Sequence, residues 1–297
     1  MFLGVLVLAV SLADQESARN IQAGVRLRAR QLRDGLSLLQ VCGTRTLTLF
    51  RPKDARLLRP YPSSHPAHPH AQLSNLSRAI EAGASARRVL LTPGDVLYVP
   101  AFWWVHEQVE EDSISFEVLS RDTERRAAEA ALMAAAIPLD DWGERATRRA
   151  LGLYLAQLVA ELAPRPAGVS RHDVEAPLAR GKRCGRWITG WLRSRFGDPD
   201  EGSGQDGGAE SADVDVCAMD WPLPPGGEPA LQERFRNAAA TVGTALLPLS
   251  DARPSVATTL LEEYLETVTS YVLGRSELVA FFERCVVPAV PEVATWA

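Results

Sequence analysis

The residues best suited to metal chemistry are few. His65, His68 and His70 lie within SSHPAHPHAQ, and His106 stands apart after Phe102-Trp103-Trp104-Val105. Three imidazoles at such spacing can chelate a transition metal. The interleaved Pro66 and Pro69 instead favour an extended surface loop, because each fixes φ and removes a backbone donor. His106 is the histidine with a structured context. Cys42, Cys184, Cys217 and Cys285 are far apart and form no CxxC, so neither a zinc site nor a disulfide framework is signalled, and isolated reduced thiols are expected.

His106 is positioned by the stretch 89–119, VLLTPGDVLYVPAFWWVHEQVEEDSISFEVL. Pro93-Gly94-Asp95 is a turn tripeptide in which Pro fixes φ, Gly takes the unusual backbone angle and Asp closes an Asx hydrogen bond. Val96-Leu97-Tyr98-Val99 is a short β-branched and aromatic run that stops at Pro100. Ile114-Ser115-Phe116-Glu117-Val118 alternates apolar and polar like a further strand. The expectation is three strands and two turns with a histidine at the mouth.

In its order of residues, PGD followed by Leu97-Tyr98-Val99-Pro100 and Trp103-Trp104, this stretch resembles the closing signature of the JmjC and cupin-like Fe(II)/2-oxoglutarate oxygenases. That family includes the asparaginyl hydroxylase of hypoxia-inducible factor. Upstream, Gln40-Val41-Cys42-Gly43-Thr44-Arg45, then Leu49-Phe50-Arg51-Pro52, Arg59-Pro60-Tyr61-Pro62 and His65-Pro66 are similar to the family's landmarks in the same order. The resemblance covers roughly residues 20–120. It implies a mainly β barrel, the double-stranded β-helix, whose mouth holds metal and cosubstrate. Relatives carry a longer region before this point, so the barrel is expected to lack early strands or the chain to be an incomplete product.

The family writes its first two iron ligands, a His and a carboxylate two residues later, between positions that match Gly24 and Gln40. Residues i and i+2 of a strand share a face, and a distant His completes the triad. Carried over, these positions are Arg30 and Leu32, and the distant one is Val105. Arg30 is a fixed cation, and Leu32 and Val105 offer no lone pair. Asp34 is a possible displaced carboxylate. His106 comes one residue late, and alternation points it away from the metal unless a bulge intervenes. The family's 2-oxoglutarate-binding lysine falls on Arg45, which can still hold a carboxylate. Leu36 and Glu117 stand where relatives have Asn, and a carboxylate at Glu117 disfavours an anionic cosubstrate.

Two functions remain open on these residues. One is a catalytically degenerate relative, a pseudoenzyme acting as a binding or scaffold module, with no cofactor, no metal and a protein partner. The other is a working dioxygenase, a protein hydroxylase or demethylase, using His106 as a shifted ligand with Fe(II) and 2-oxoglutarate. A truncated relative with no function of its own is a third possibility.

The net charge of −5 gives no basic footprint for nucleic acid. Residues 2–13 are apolar and too short to span a membrane. They read as a buried first strand, with a secretory signal as the alternative, and an intracellular location is favoured. After Arg121 the hydrophobic period changes from 2 to 3.6. Asp122 or Thr123 can cap a helix ending before Pro138, and Asp140-Asp141 starts a second. A third helical region, 174–196, turns Trp187, Trp191 and Leu192 inward and its arginines, Arg195 among them, to solvent. The stretch 197–215 holds seven acidic and no basic residues and reads as a flexible acidic loop. Helices follow at 231–247, 255–273 and 276–286, the middle one with Leu260, Leu261, Tyr264, Leu265, Val268, Tyr271 and Val272 on one buried stripe, against the barrel or in a homo-oligomer. The expected domains are a β-helix domain at 1–121, a helical region packed on the barrel at 122–196, an acidic linker at 197–229 and C-terminal helices at 230–297.

Overall fold

The computed structural model describes residues 15–135, 143–162, 191–192, 195–196, 217, 227–274 and 277–289. The readings of residues 2–13, of the acidic stretch 197–215 and of most of 174–196 lie outside them. The chain divides into two compact units, residues 1–126 and 127–297.

The first unit is built from eight strands: β1 (Gln15–Ile21), β2 (Arg26–Gln31), β3 (Gly35–Cys42), β4 (Arg45–Phe50), β5 (Arg87–Leu91), β6 (Val96–Val99), β7 (Trp104–Val109) and β8 (Ser113–Ser120). They form two antiparallel four-stranded sheets, ordered β1-β8-β3-β6 and β2-β7-β4-β5. This is the cupin-like strand arrangement, with the two sheets not closed into one hydrogen-bonded barrel.

Period-2 alternation decides what faces inward. On β3 the residues Leu36, Leu38 and Gln40 are buried, and on β7 Val105, Glu107 and Val109. An apolar cluster of Leu32, Leu36, Leu38, Leu47, Leu49, Leu91, Val99 and Val105 fills one part of the interior. A second cluster lies on the other face of the second sheet. There Ala29, Phe50 and Trp104 pack under Leu58, Ala71, Ala79 and Ala84 from the long β4–β5 connection, which carries the short helices α1 (Ala55–Leu58) and α2 (Ser77–Glu81).

The stretch 89–119 contributes to four strands rather than three. β7 escapes the alternation pattern because it carries a buried acid, Glu107, at an inward position. The Pro93-Gly94-Asp95 turn forms as expected: Gly94 has φ +97°, and Asp95 Oδ2 accepts from the Thr92 N–H at 2.7 Å. Gly43 is required sterically. With φ +70°, a Cβ there would sit 2.1 Å from the Asp112 carbonyl oxygen.

At the end of the first unit, α3 (Thr123–Ala134) starts where Asp122 Oδ1 accepts from the Arg125 N–H at 3.0 Å, the N-cap bond that the sequence proposes; the second unit is helical. α4 (Glu144–Leu162) packs along α5 (Gly227–Ala252), which packs along α6 (Pro254–Ser270). A helical turn, α7 (Leu278–Phe281), continues into a π turn, Phe282–Val286. Among the described residues no helix is long and apolar enough to cross a membrane.

Three expectations for this unit are corrected. Cys217 and Cys285 form a disulfide across a separation of 68 residues, a proximity that spacing along the chain does not encode. Arg195 is buried, not solvated: its Nε lies 2.9 Å from Glu266 Oε2, both side chains almost fully enclosed. On α6, Leu260, Leu261, Tyr264 and Leu265 are buried, but Tyr271 follows the helix end and is 74% exposed. Tyr264 is held by a hydroxyl–hydroxyl bond of 2.5 Å to Tyr154, and burial raises the pKa of both phenols, strongly for Tyr154.

Candidate functional site: a buried arginine network in the cupin-like unit

Arg30, Leu32 and Val105, the positions that the resemblance assigns to iron ligands, lie close together at β2 and β7. Arg30 of β2 pairs directly with Val105 of β7. Leu32, just beyond β2, is held by hydrogen bonds from its own N–H to the Trp103 carbonyl, 2.9 Å, and from the Phe102 N–H to its carbonyl, 2.7 Å. Leu32 and Val105 then belong to one buried apolar cluster, at 2% and 1% exposure. Each of two such side chains gains about 1.5–3 kcal/mol from burial. Carbon side chains donate nothing to a metal, and the guanidinium of Arg30 brings a positive charge. The donor set at these three positions does not fit an iron ion.

Asp34 is not a displaced ligand. It sits in the β2–β3 turn, where its Oδ1 accepts from Arg125 Nη2 at 2.7 Å and from the Asp122 N–H at 3.2 Å, with Arg126 at 3.7 Å. Burial works to raise its pKa, but those hydrogen bonds and the two arginine charges outweigh burial and hold the carboxyl below the usual carboxylate range.

His106 pairs with Thr48 on β4 and alternates with the inward Val105 and Glu107, so its side chain lies on the opposite, outer face of the sheet. Burial, with the nearby Arg26 charge, lowers its pKa against the opposing pull of Glu107. The imidazoles of the loop serve the loop. His65 Nδ1 accepts from the Ala67 N–H at 3.0 Å, His68 Nδ1 meets the Tyr61 carbonyl at 3.3 Å, and His70 Nδ1 meets the Ala67 carbonyl at 2.9 Å. Among the described residues no three His, Cys, Asp or Glu side chains come together to hold a metal ion.

What the interior holds instead is an ion network around Arg45. This side chain is fully buried. Its Nη1 donates to Glu107 Oε2 at 3.3 Å and Glu117 Oε1 at 3.5 Å. Its Nη2 donates to the hydroxyls of Ser115 at 3.0 Å and Ser113 at 3.5 Å. Arg19 of β1 reaches the same two carboxylates, 2.9 Å to Glu107 and 3.0 Å to Glu117, and Arg30 stands 3.8 Å from Glu107. Gln40 braces the floor through Nε2, which donates to the Cys42 carbonyl, the Gly43 carbonyl and Ser113 Oγ. Each member comes from an inward position of β1, β2, β3, β4, β7 or β8.

Chemically, the network is a carboxylate-binding cation whose carboxylates are supplied by the chain itself. Arg45 stands where the resemblance implies a 2-oxoglutarate-binding lysine, and Glu107 and Glu117 already occupy its donors. Glu117 was legible from its departure from Asn. Glu107 was missed, although it follows Val105 by two residues and must therefore share its face.

Residues 37–119 match the model of the cupin-like domain family. Among solved structures, the chain is similar to the Drosophila melanogaster CENP-C cupin domain at 10% identity, over 36% of this chain and 61% of that one, with a TM-score of 0.24. It is similar to hydroquinone 1,2-dioxygenase from Sphingomonas sp. TTNP3 at 9% identity, over 36% and 59%, with a TM-score of 0.26. To YcfD, a ribosomal oxygenase from Escherichia coli, the identity is 15%, over 54% and 34%, with a TM-score of 0.27. The match thus spans less than two thirds of the length of each of these chains. On strand order and the matched span, the eight strands have a cupin-like fold.

Proposed function

We propose that this protein is a catalytically degenerate cupin-like protein, acting as a binding or scaffold module for another protein without iron or 2-oxoglutarate. The observation that carries the reading is the occupancy of Arg45 by Glu107 and Glu117. A dicarboxylate cosubstrate would have to displace two buried carboxylates that also share Arg19. The apolar packing of Leu32 and Val105 supports the same reading, since a facial triad needs two imidazoles and a carboxylate on one side of the ion.

Metal analysis and calorimetry with Mn(II), Fe(II) and 2-oxoglutarate test it. The expected result is no stoichiometric metal binding and no 2-oxoglutarate turnover by the unmodified chain. Arg30→His combined with Leu32→Asp and Val105→His is expected to create measurable Mn(II) affinity. Tight iron binding by the unmodified protein that disappears in His106→Ala would overturn the reading and establish the oxygenase one.

A further inference from the structure

Three arginines share two carboxylates in the inward network: Arg19, Arg30 and Arg45 face Glu107 and Glu117. Among the described residues one positive charge is left over. It falls at the rim, where the side chains of Arg19 and Arg30 are 27% and 31% exposed, whereas Arg45 is enclosed. Arg30 Nη2 stands 3.8 Å from Glu107 Oε1, beyond hydrogen-bond distance, and that oxygen already accepts from Arg19 at 2.9 Å. The Arg30 guanidinium therefore donates no hydrogen bond among the described residues, although its planar fork suits two parallel bonds to an oxyanion.

His70 stands beside Arg30. The Gln31 N–H donates to the Pro69 carbonyl at 3.0 Å and the Ala71 N–H to the Ala29 carbonyl at 2.7 Å, which makes Arg30 and His70 a directly opposed, non-hydrogen-bonded antiparallel pair. In such a pair both side chains leave the same face and approach closely. His70 Nδ1 meets the Ala67 carbonyl at 2.9 Å. A carbonyl only accepts, so Nδ1 carries the proton and Nε2 of the neutral ring is an acceptor.

We propose that Arg30, Arg19 and His70 bind a phosphate monoester at this rim, a proposal that rests on the metal-free reading above and gives that module its ligand. A monoanionic phosphate ester brings one negative charge, which matches the surplus. It offers oxygens to the Arg30 fork and to Arg19, and one P–OH to donate to His70 Nε2. A carboxylate matches the charge but has no proton for Nε2. The phosphoryl group is carried either by a small ester or by a phosphoserine of a partner protein.

Calorimetry of the full chain, stripped of metal on a chelating resin, tests this with glycerol 3-phosphate, acetate, and one serine peptide with and without its phosphate. Saturable binding of glycerol 3-phosphate and none of acetate is expected. Arg30→Gln is expected to weaken binding about tenfold or more, through loss of a charge-assisted pair. His70→Phe is expected to weaken it about fivefold, the worth of one neutral hydrogen bond. Unchanged hydrogen exchange of β7 and β8 amides shows that each variant keeps the fold, and if Arg30→Gln does not fold, Arg30→Lys and His70→Phe carry the comparison. A phosphopeptide that binds more tightly than both glycerol 3-phosphate and the unphosphorylated peptide assigns the group to a partner protein; equal affinity for ester and phosphopeptide assigns it to a small ester. The proposal is overturned by no saturable binding of either phosphate ester, by undiminished binding in the Arg30 and His70 variants, or by acetate binding as tightly as the ester. Failure of the metal-free reading appears instead in the separate iron titration, so the two failures are distinct.

Discussion

Replacing Arg45 with Met removes the central cation of the buried network while keeping most of the side-chain volume. Glu107 and Glu117 then keep Arg19, at 2.9 and 3.0 Å, and the more distant Arg30, at 3.8 Å from Glu107. Removing one partner of a buried ion pair costs about 3–5 kcal/mol, because it strands a desolvated charge. The two retained Arg19 contacts place the expected loss near the lower end, about 3 kcal/mol, or roughly a hundredfold in an equilibrium constant. Arg19→Met is the matched control. Arg19 is 27% exposed, water replaces part of its role, and its loss costs about 1 kcal/mol as for other rim charges. Because the chain has two compact units, a single global transition does not isolate the effect. Hydrogen exchange of β7 and β8 amides under increasing urea reads it locally. A loss below about 1 kcal/mol for Arg45→Met, or a larger loss for Arg19→Met, refutes the claim that burial makes Arg45 the structural centre. A neutral Arg45→Met that also abolishes 2-oxoglutarate binding would show that the cation serves a ligand.

Three further outcomes are expected. Asp34 has a folded pKa below its unfolded value, so its contribution is complete above about pH 4 and is lost as pH falls through the folded pKa; Asp34→Asn should remove that acid-side slope in urea titrations of the first unit. His106 also has a lowered folded pKa, so its contribution is present above its unfolded value of about 6.5 and declines as pH falls below it. His106→Gln should flatten stability across that window and leave metal content unchanged. Closing a loop of 68 residues is worth about 4 kcal/mol in the chain-entropy account, so Cys285→Ser should lower the urea midpoint of the helical unit and leave β7 and β8 exchange unaffected.

The strands around Pro93-Gly94-Asp95 and the switch to helical period at Arg121 were legible because local chemistry sets them: a turn triplet, an alternation, an N-cap. Inward positions were legible wherever alternation was apolar, as on β3. The network was not, because charged residues at inward positions look like solvent-facing ones until register pairs them. Glu107 and Arg45 share a site only because β4 and β7 are adjacent, and Arg19 joins from a strand nearly ninety positions away from Glu107 in sequence. Arg195 hid for the same reason. A helix that presents several arginines reads as a solvated face unless the tertiary partner, Glu266, is known. The Cys217–Cys285 pair carries no local signal at all.

Leu32 and Val105, at positions that the resemblance assigns to iron ligands, are matched physically to their surroundings. With no metal ion, a buried imidazole or carboxylate at position 32 or 105 would be an unpaired polar group beside Leu36, Leu47 and Val99, at a cost of several kcal/mol. Leu and Val at these positions remove that cost and extend the apolar cluster. Likewise, a cation at position 45 without a cosubstrate would be a lone buried charge, and Glu107 and Glu117 neutralise it. Each of these residues therefore stabilises the two-sheet unit as it stands. Leu32→Asp alone strands a carboxylate, Val105→His alone strands an imidazole, and neither gains a metal until Arg30 is also replaced. Packing and charge balance together hold these residues in place, so the triple substitution, rather than any single one, is the informative test.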